Sequence, residues 1–257
     1  MTQSDSSPPN DEFYIGYAKL PSGVKKFLLK FIPLLVVGAV VFGGVLPLIH
    51  NQYNPGTFAP VKDLEGFLIA EPVPQLAVPR PGDTASGANY SRYILSGLAK
   101  TAPPAKAMEH VGKWVKLSGA AVFRNNTTLI ATRSAEPIET PDNFPSPPGE
   151  GESLGEFSLK GEILDAKCYL GAMKPGHTKV HRGCAIRCIS GGVPPIFITR
   201  DRANNDPLYL VLADEMGKAV NSRVLDKVGD PVQITGQVVR YDDLFVLKAD
   251  PASYEVL

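Results

Sequence analysis

One apolar stretch near the N-terminus constrains this chain more than any other feature. From Phe27 to Ile49 nearly every residue is apolar, and no charged side chain lies between Phe31 and His50. A bilayer core of about 30 Å requires roughly 20 such residues in a helix, so residues 27–50 are predicted to form a transmembrane anchor. A buried core helix would need a polar face, which this run lacks. A cleaved signal peptide is the other alternative, but no A-x-A-like cleavage site follows the run.

The charges that flank the apolar run predict its orientation. Three lysines precede it and a fourth, Lys30, lies near its start, whereas no Lys or Arg follows it until Lys62. Cytoplasmic flanks carry the excess of positive charge, so residues 1–26 are predicted to be a cytoplasmic leader. The chain is then a single-pass protein of the cell membrane. Everything after the anchor is expected on the extracytoplasmic side, in the periplasm or its equivalent.

After the anchor the sequence repeats itself weakly. His110–Ser134 is similar to Lys227–Asp250: each has a Val-Gly pair, an alternating apolar run, a Ser/Thr-Gly pair and a polar turn before a last apolar run. Upstream segments match as well, and alternation of this kind predicts half-buried strands. We therefore predict two modules, 57–134 and 156–257, each with three strands, a short helix and two more strands. The Pro-, Gly- and Glu-rich stretch 135–155 is predicted to be a linker.

This order of elements resembles the OB-fold, a small five-stranded barrel. The resemblance implies a mainly β protein, with a single transmembrane helix followed by two small OB-like β-barrel modules. Many OB-folds bind nucleic acid. Here, however, 26 basic residues balance 26 acidic residues, so the chain lacks the positive charge that a phosphate backbone requires. No nucleic-acid partner is expected.

All three cysteines and two of the four histidines fall between Asp165 and Gly192. The second module is longer than the first, between matching glycines, by about the length of this segment. Residues 168–192 are therefore predicted to be a helical insertion after the first strand of the second module. Pro175 and Gly176 would interrupt the chain before a helix over 178–189, and a Gly-Gly pair would end it.

Histidine and cysteine side chains are predicted to share one face of that helix. They follow one another at i, i+4, i+7 and i+11, which are positions on the same side of a helix. The residues are His177, His181, Cys184 and Cys188. Cys168 ends the preceding strand, so the strand end and the helix face are expected to converge.

A metal site is the first interpretation of this convergence. Three thiolates and one imidazole form a Cys3His set, which suits tetrahedral zinc and also a softer copper(I) ion or an iron–sulfur centre. The spacing H-x2-C-x3-C differs from the C-x2-C pairs common in zinc sites. The predicted metal ligands are Cys168, His181, Cys184 and Cys188, with His177 and Met173 as additional candidates.

Two other interpretations remain open. In an oxidising compartment Cys168 could form a disulfide with Cys184 or Cys188, which would leave one cysteine over. A reactive thiol or an axial haem ligand is the third interpretation. Arg182 and Arg187 on the same helix could lower the pKa of such a thiol. Covalent c-type haem is not indicated, because no C-x-x-C-H sequence is present.

The segment also resembles one found in exported bacterial proteins of uncharacterised type, with the pattern D-x-x-C-Y-L, then H-x-x-C-A-x-x-C, then G-x-P. The resemblance implies a genuine Cys/His site outside the cytoplasm and favours His181 over His177 as a ligand, but it names no activity. The matching residues are Asp165, Cys168, Tyr169, Leu170, His181, Cys184, Ala185, Cys188, Gly192 and Pro194.

These observations favour an accessory or assembly subunit of a membrane redox or electron-transfer complex, with a metal or redox site in the second module. The expected partners are the lipid bilayer and a membrane protein complex. A binding scaffold stapled by a disulfide and a thiol oxidoreductase are the alternatives. No Ser, His and acidic residue form a recognisable catalytic motif, so no catalytic residue is predicted and the sequence favours a protein that is not an enzyme.

Overall fold

A computed structural model describes most of the chain in two units, Met1–Asn51 and Gln52–Leu257. The predicted cytoplasmic leader lies outside the described residues as far as residue 19. The residues that the structure describes are 20–53, 56–80, 87–140, 147–201 and 205–257.

The first unit contains one long helix, α1 (Ser22–Gln52), which includes the predicted span 27–50. It has 31 residues, none of them buried, and its most apolar window has a mean hydropathy of 2.5. A helix of this length is about 46 Å long, which exceeds the thickness of a bilayer core. α1 is thus long and apolar enough to cross a membrane, and both an anchor and a signal sequence have these properties.

The first half of the second unit is a closed barrel of five strands. Its strands lie in the order β1-β2-β3-β5-β4, with β3 and β5 parallel and the other neighbouring pairs antiparallel. A short helix precedes the fourth strand, as the sequence predicts. The elements are β1 (Thr57–Ile69), β2 (Gln75–Pro79), β3 (Tyr90–Gly97), α2 (Ala105–Met108), β4 (Trp114–Arg124) and β5 (Thr127–Pro137).

The second half repeats this barrel with a longer first connection. The strands follow the order β10-β8-β7-β6-β9, pairing of β9 with β10 closes the barrel, and β11 adds to its edge. The mainly β fold class with two small barrels is therefore confirmed. The elements are β6 (Glu152–Asp165), a helical turn (Cys168–Ala172), α3 (Arg182–Ser190), β7 (Pro195–Arg200), β8 (Pro207–Ala213), 3-10 turns (Asn221–Arg223, Leu225–Lys227), β9 (Pro231–Tyr241), β10 (Leu244–Lys248), a 3-10 turn (Pro251–Ser253) and β11 (Glu255–Val256).

The stretch predicted to be a linker contains strand residues at both ends. β5 continues to Pro137, and β6 begins at Glu152. Between these strands, residues 141–146 lie outside the described part of the chain. The polar composition of 135–155 conceals the strand ends because their side chains are mostly exposed, so no apolar alternation marks them.

Glycines at matching positions of the two barrels face a neighbouring strand closely. A Cβ atom on Gly119 would collide with the carbonyl oxygen of Ala131, and one on Gly236 would collide with that of Lys248. The register of β4 and β5 also shifts next to Gly119. The repeated Ser/Thr-Gly pair thus marks a point where two backbones approach too closely for any side chain.

The two barrels are joined by an apolar interface. Each barrel has its own core, and a further cluster of buried side chains includes members of both. This shared cluster packs the end of β6 and the faces of β7 and β8 against β3, β4 and β5. Its larger members are Ile94, Val122, Leu129, Leu164, Tyr169, Leu170, Ile196, Ile198, Tyr209, Val211, Leu244 and Val246.

Each barrel also extends one β-hairpin turn onto the other. In the β4–β5 turn, the side-chain amide of Asn125 donates to the Tyr209 hydroxyl at 2.9 Å. In the β9–β10 turn, the Asp242 carboxylate accepts from the Tyr90 backbone N–H at 3.3 Å and pairs with Arg92 at 2.7 Å. Asn125 and Asp242 both have a φ of 54°. The exchange of turns is therefore reciprocal, and it fixes the two barrels as one body.

Candidate metal centre

The connection from β6 to β7 carries all three cysteines. The corresponding connection in the first barrel is only the short turn 70–74, whereas this one holds a helical turn and α3. The predicted helix start at residue 178 is wrong, because α3 begins at Arg182. Thr178 has a φ of 63°, a left-handed conformation that a helix cannot include. His181 consequently precedes the first helical residue, and His177 lies outside the helix.

The three sulfur atoms converge as predicted. Cys168 Sγ lies 3.8 Å from Cys188 Sγ and 4.0 Å from Cys184 Sγ, and all three are within 4.8 Å of one another. No disulfide joins these three cysteines in the structure. Zinc–sulfur bonds of about 2.3 Å in a tetrahedral centre place two sulfurs about 3.8 Å apart. The observed spacing therefore suits thiolates around one metal ion.

A buried carboxylate and a buried imidazole lie beside Cys168. Asp165 ends β6; its Oδ1 accepts from the Cys168 backbone N–H at 2.8 Å, and its Oδ2 lies 3.1 Å from Nε2 of His181. The ligand atoms of Asp165, Cys168 and His181 are within 4.8 Å of one another, and all three residues are buried. The structure thus brings together the three thiols of the predicted Cys3His set. His181 belongs to a second group, with Asp165 and Cys168, which shares Cys168 with the first.

The additional candidate His177 lies outside both groups of ligand atoms among the described residues. Its ring is 6.3 Å from the Tyr169 ring in an edge-on arrangement. Met173, the other additional candidate, is 43% exposed, and its backbone N–H donates to the Cys168 carbonyl at 3.3 Å.

A lysine of the first barrel reaches the cluster, which the sequence did not predict. Lys100, in the loop after β3, donates from Nζ to Cys184 Sγ at 3.0 Å. This hydrogen bond is the main reason that the pKa of Lys100 lies above its usual value. In the same loop the Ala102 N–H donates to the Gly191 carbonyl at 2.8 Å, at the end of α3. The first barrel therefore forms one wall of the site.

Lys167 holds that loop from the other side. Its buried ammonium donates to three carbonyl oxygens, those of Gly97 at 2.6 Å, Leu98 at 2.7 Å and Ala99 at 3.0 Å. Burial lowers the pKa of Lys167. A lysine directly before Cys168 was the only indication in the sequence. Its three acceptors are about 70 residues away, so no local pattern could identify them.

The thiols differ in their electrostatics. A hydrogen bond with Cys188, then burial and the charge of Asp165, raise the pKa of Cys168. The same hydrogen bond lowers the pKa of Cys188, against the opposing effect of burial. Within this pair the opposite shifts in pKa favour a thiolate at Cys188 over one at Cys168. A thiolate of this kind is both a metal ligand and a nucleophile.

Comparisons with known proteins leave the geometry as the basis for a functional interpretation. No protein-family model matches the chain, and no curated protein or solved structure is significantly similar to it. The two overlapping groups, Cys168 with Cys184 and Cys188, and Cys168 with Asp165 and His181, could each hold a metal ion.

Proposed function

We propose that the second barrel holds one thiophilic metal ion through the thiolates of Cys168, Cys184 and Cys188. The observation that carries this proposal is the convergence of three sulfur atoms, from the helical turn after β6 and from α3, at separations of 3.8 Å and 4.0 Å from Cys168. Zinc, copper(I) and iron–sulfur centres all accept such a set. The spacing supports a single tetrahedral zinc or a copper(I) ion best.

His181 remains the proposed fourth ligand. A histidine that binds a metal usually donates its other ring N–H to a carboxylate, which fixes the orientation of the ring. Asp165 lies 3.1 Å from Nε2 of His181, which leaves Nδ1 for the ion. Three thiolates around a divalent ion carry a net negative charge. The ammonium of Lys100, 3.0 Å from Cys184 Sγ, supports the proposal because it offsets that charge.

The test is a metal titration of the full-length chain in a nonionic detergent under reducing conditions. The apo protein competes with a chromophoric chelator for Zn²⁺ and for Cu⁺, and elemental analysis gives the stoichiometry. We expect one ion per chain. Cys184→Ser and His181→Ala should weaken binding, whereas the matched control His177→Ala should not. A wild-type protein that fails to compete for either ion would refute the metal centre.

We further propose that the chain is an anchored accessory or assembly subunit of a membrane redox complex. α1 is long and apolar enough to be the anchor, and the lysine-rich flank before it favours a cytoplasmic N-terminus with extracytoplasmic barrels. The strand order with parallel β3 and β5 favours OB-type barrels. Purification in mild detergent from the native membrane should recover redox subunits with this protein. Recovery of the protein alone, after cross-linking as well, would contradict this role.

Thiol redox chemistry is the second candidate function. It is favoured by the opposite pKa shifts of Cys168 and Cys188, whose sulfurs are 3.8 Å apart. This candidate predicts a reversible disulfide between Cys168 and either Cys188 or Cys184, and no bound metal. Mass spectrometry after alkylation of freshly extracted membranes would identify the pair. A disulfide that persists without any reductase activity would instead indicate the scaffold with a structural staple.

A further inference from the structure

A cleft of about 1010 Å³ lies on the second barrel, apart from the cysteine cluster. Its floor and sides come from the outer part of β6, the end of β7 and residues 177–179, and Arg124 of the first barrel adds one edge. No cysteine lines it, and none of the four proposed metal ligands is among its lining residues. The cleft is therefore a separate feature from the metal centre.

Two arginines from different barrels face this cleft without a carboxylate partner among the described residues. Arg124 donates to the Tyr169 carbonyl at 3.4 Å, and Arg200 donates to the Asn205 carbonyl at 3.0 Å. Each guanidinium carries five N–H donors, so most of them remain for a ligand. Several other arginines of the second unit pair with a carboxylate, for example Arg182 with Asp230 at 2.6 Å.

The two guanidinium groups act on the same region of the cleft. Arg124 stacks over the Tyr169 ring at 4.4 Å, and the His177 ring approaches the edge of that same tyrosine. Burial is the main cause of the lowered pKa of His177, and the positive charges of Arg124 and Arg200 both add to it. Two arginines and a histidine thus surround one side of the cleft.

The rest of the lining mixes apolar residues with polar ones, among them Lys160 and Lys179, and includes one acidic group. Leu159, Ile198 and Pro231 provide apolar surface. Glu162 accepts from the Thr178 backbone N–H at 2.6 Å, and burial raises its pKa. This carboxylate sets a limit on the total negative charge that the cleft can accept.

We propose that the cleft binds a small organic anion, a phosphate or carboxylate group attached to an apolar body. Arg124 and Arg200 hold the anionic group, because the guanidinium fork matches the geometry of both oxyanions. The apolar body contacts Ile198 and Pro231, as in most small-molecule sites. A free metabolite and a lipid headgroup share this chemistry. Because Arg124 belongs to the first barrel and Arg200 to the second, the site forms only when the two barrels pack together.

The test uses phenyl phosphate as the probe and isothermal titration calorimetry of the full-length chain in a neutral detergent. Loss of one charge-assisted contact should weaken binding about tenfold, so Arg124→Gln and Arg200→Gln should each show this change. The exposed Arg133, on β5 and outside the cleft, gives the matched control Arg133→Gln, which should bind as the wild type does. Glu162→Gln should bind more tightly, because it removes a repulsive charge.

Two further arms make the outcome decisive. Circular dichroism verifies that each variant is folded, and Arg124→Lys replaces Arg124→Gln should the latter fail to fold. In nanodiscs, competition by phosphatidylglycerol but not by phosphatidylcholine identifies a lipid headgroup as the source, and no competition by either identifies a soluble anion. A wild-type protein that does not bind phenyl phosphate, or equal binding by wild type and both glutamine variants, overturns the proposal. Metal stoichiometry is independent of every arm.

Discussion

Replacement of Lys167 tests how strongly the first barrel is held to the cysteine segment. In Lys167→Ala the carbonyl oxygens of Gly97, Leu98 and Ala99 lose a common donor. The bond to Gly97 is buried and the other two are partly buried. An unsatisfied buried acceptor costs about 1–3 kcal/mol, and water can replace the donor at the two outer carbonyls.

The expected loss in the free energy of unfolding is therefore about 2–4 kcal/mol. Part of the gross loss is offset, because the wild type must bury an ammonium whose pKa is lowered by desolvation. Lys167→Met separates the contributions, since it retains an apolar side chain and removes only the charge and its hydrogen bonds. We expect Lys167→Met to be destabilised less than Lys167→Ala.

Urea unfolding in detergent, followed by tryptophan fluorescence, measures this change. Trp114 is the only tryptophan and is 3% exposed in the first barrel, so its signal reports the barrel that does not contain the substitution. Lys106→Ala, on the exposed side of α2, is the control and should change stability by less than about 0.5 kcal/mol. An equally small change in Lys167→Ala would refute the view that this lysine links the barrels.

Three other changes have definite expected outcomes. Lys100→Met should weaken metal binding several-fold in the chelator competition, because it removes the charge beside Cys184, and unchanged affinity would contradict the proposed charge balance. Burial, and then the neighbouring Tyr169, raise the pKa of Tyr209 to about 12. The contribution of this shift to the free energy of unfolding is therefore complete below about pH 10 and is lost as the pH rises to about 12. Tyr209→Phe should remove this part of the dependence of stability on alkaline pH. Gly119→Ala should destabilise the first barrel by more than about 1 kcal/mol in the same urea assay, because its Cβ meets a backbone oxygen that cannot move freely.

Much of the fold was predictable because the sequence patterns that indicate its strands and turns are local. Alternating apolar residues indicate each strand, and the repeated Ser/Thr-Gly pair marks matching close contacts at Gly119 and Gly236. The order of strands and helix along each module followed from the repeat in the sequence. The linker prediction was less accurate at its ends, because exposed strand residues such as those near Glu152 have no apolar periodicity.

The site was predictable only in part, since some of its contacts come from distant residues. The convergence of Cys168 with Cys184 and Cys188 was predictable because these segments are close together in sequence. The prediction that Cys168 ends the strand was wrong, since β6 ends at Asp165 and Cys168 begins the helical turn that follows. The predicted helix start at residue 178 was wrong, because nothing in the sequence around Thr178 marks its left-handed conformation. Lys100 could not be predicted, since its place beside Cys184 depends on how the barrels pack.

The packing of the barrels assigns different roles to two similar modules. In the second barrel the first connection is the long cysteine segment, whereas the first barrel has a short turn at the corresponding place. The first barrel instead supplies the loop after β3. In this loop Lys100 donates a hydrogen bond to Cys184, and three carbonyl oxygens accept hydrogen bonds from Lys167. It also supplies Arg124 to the anionic cleft. Both candidate sites thus depend on residues from each barrel, so substitutions at the interface should alter metal affinity and anion affinity together, although no residue is shared between the two sites.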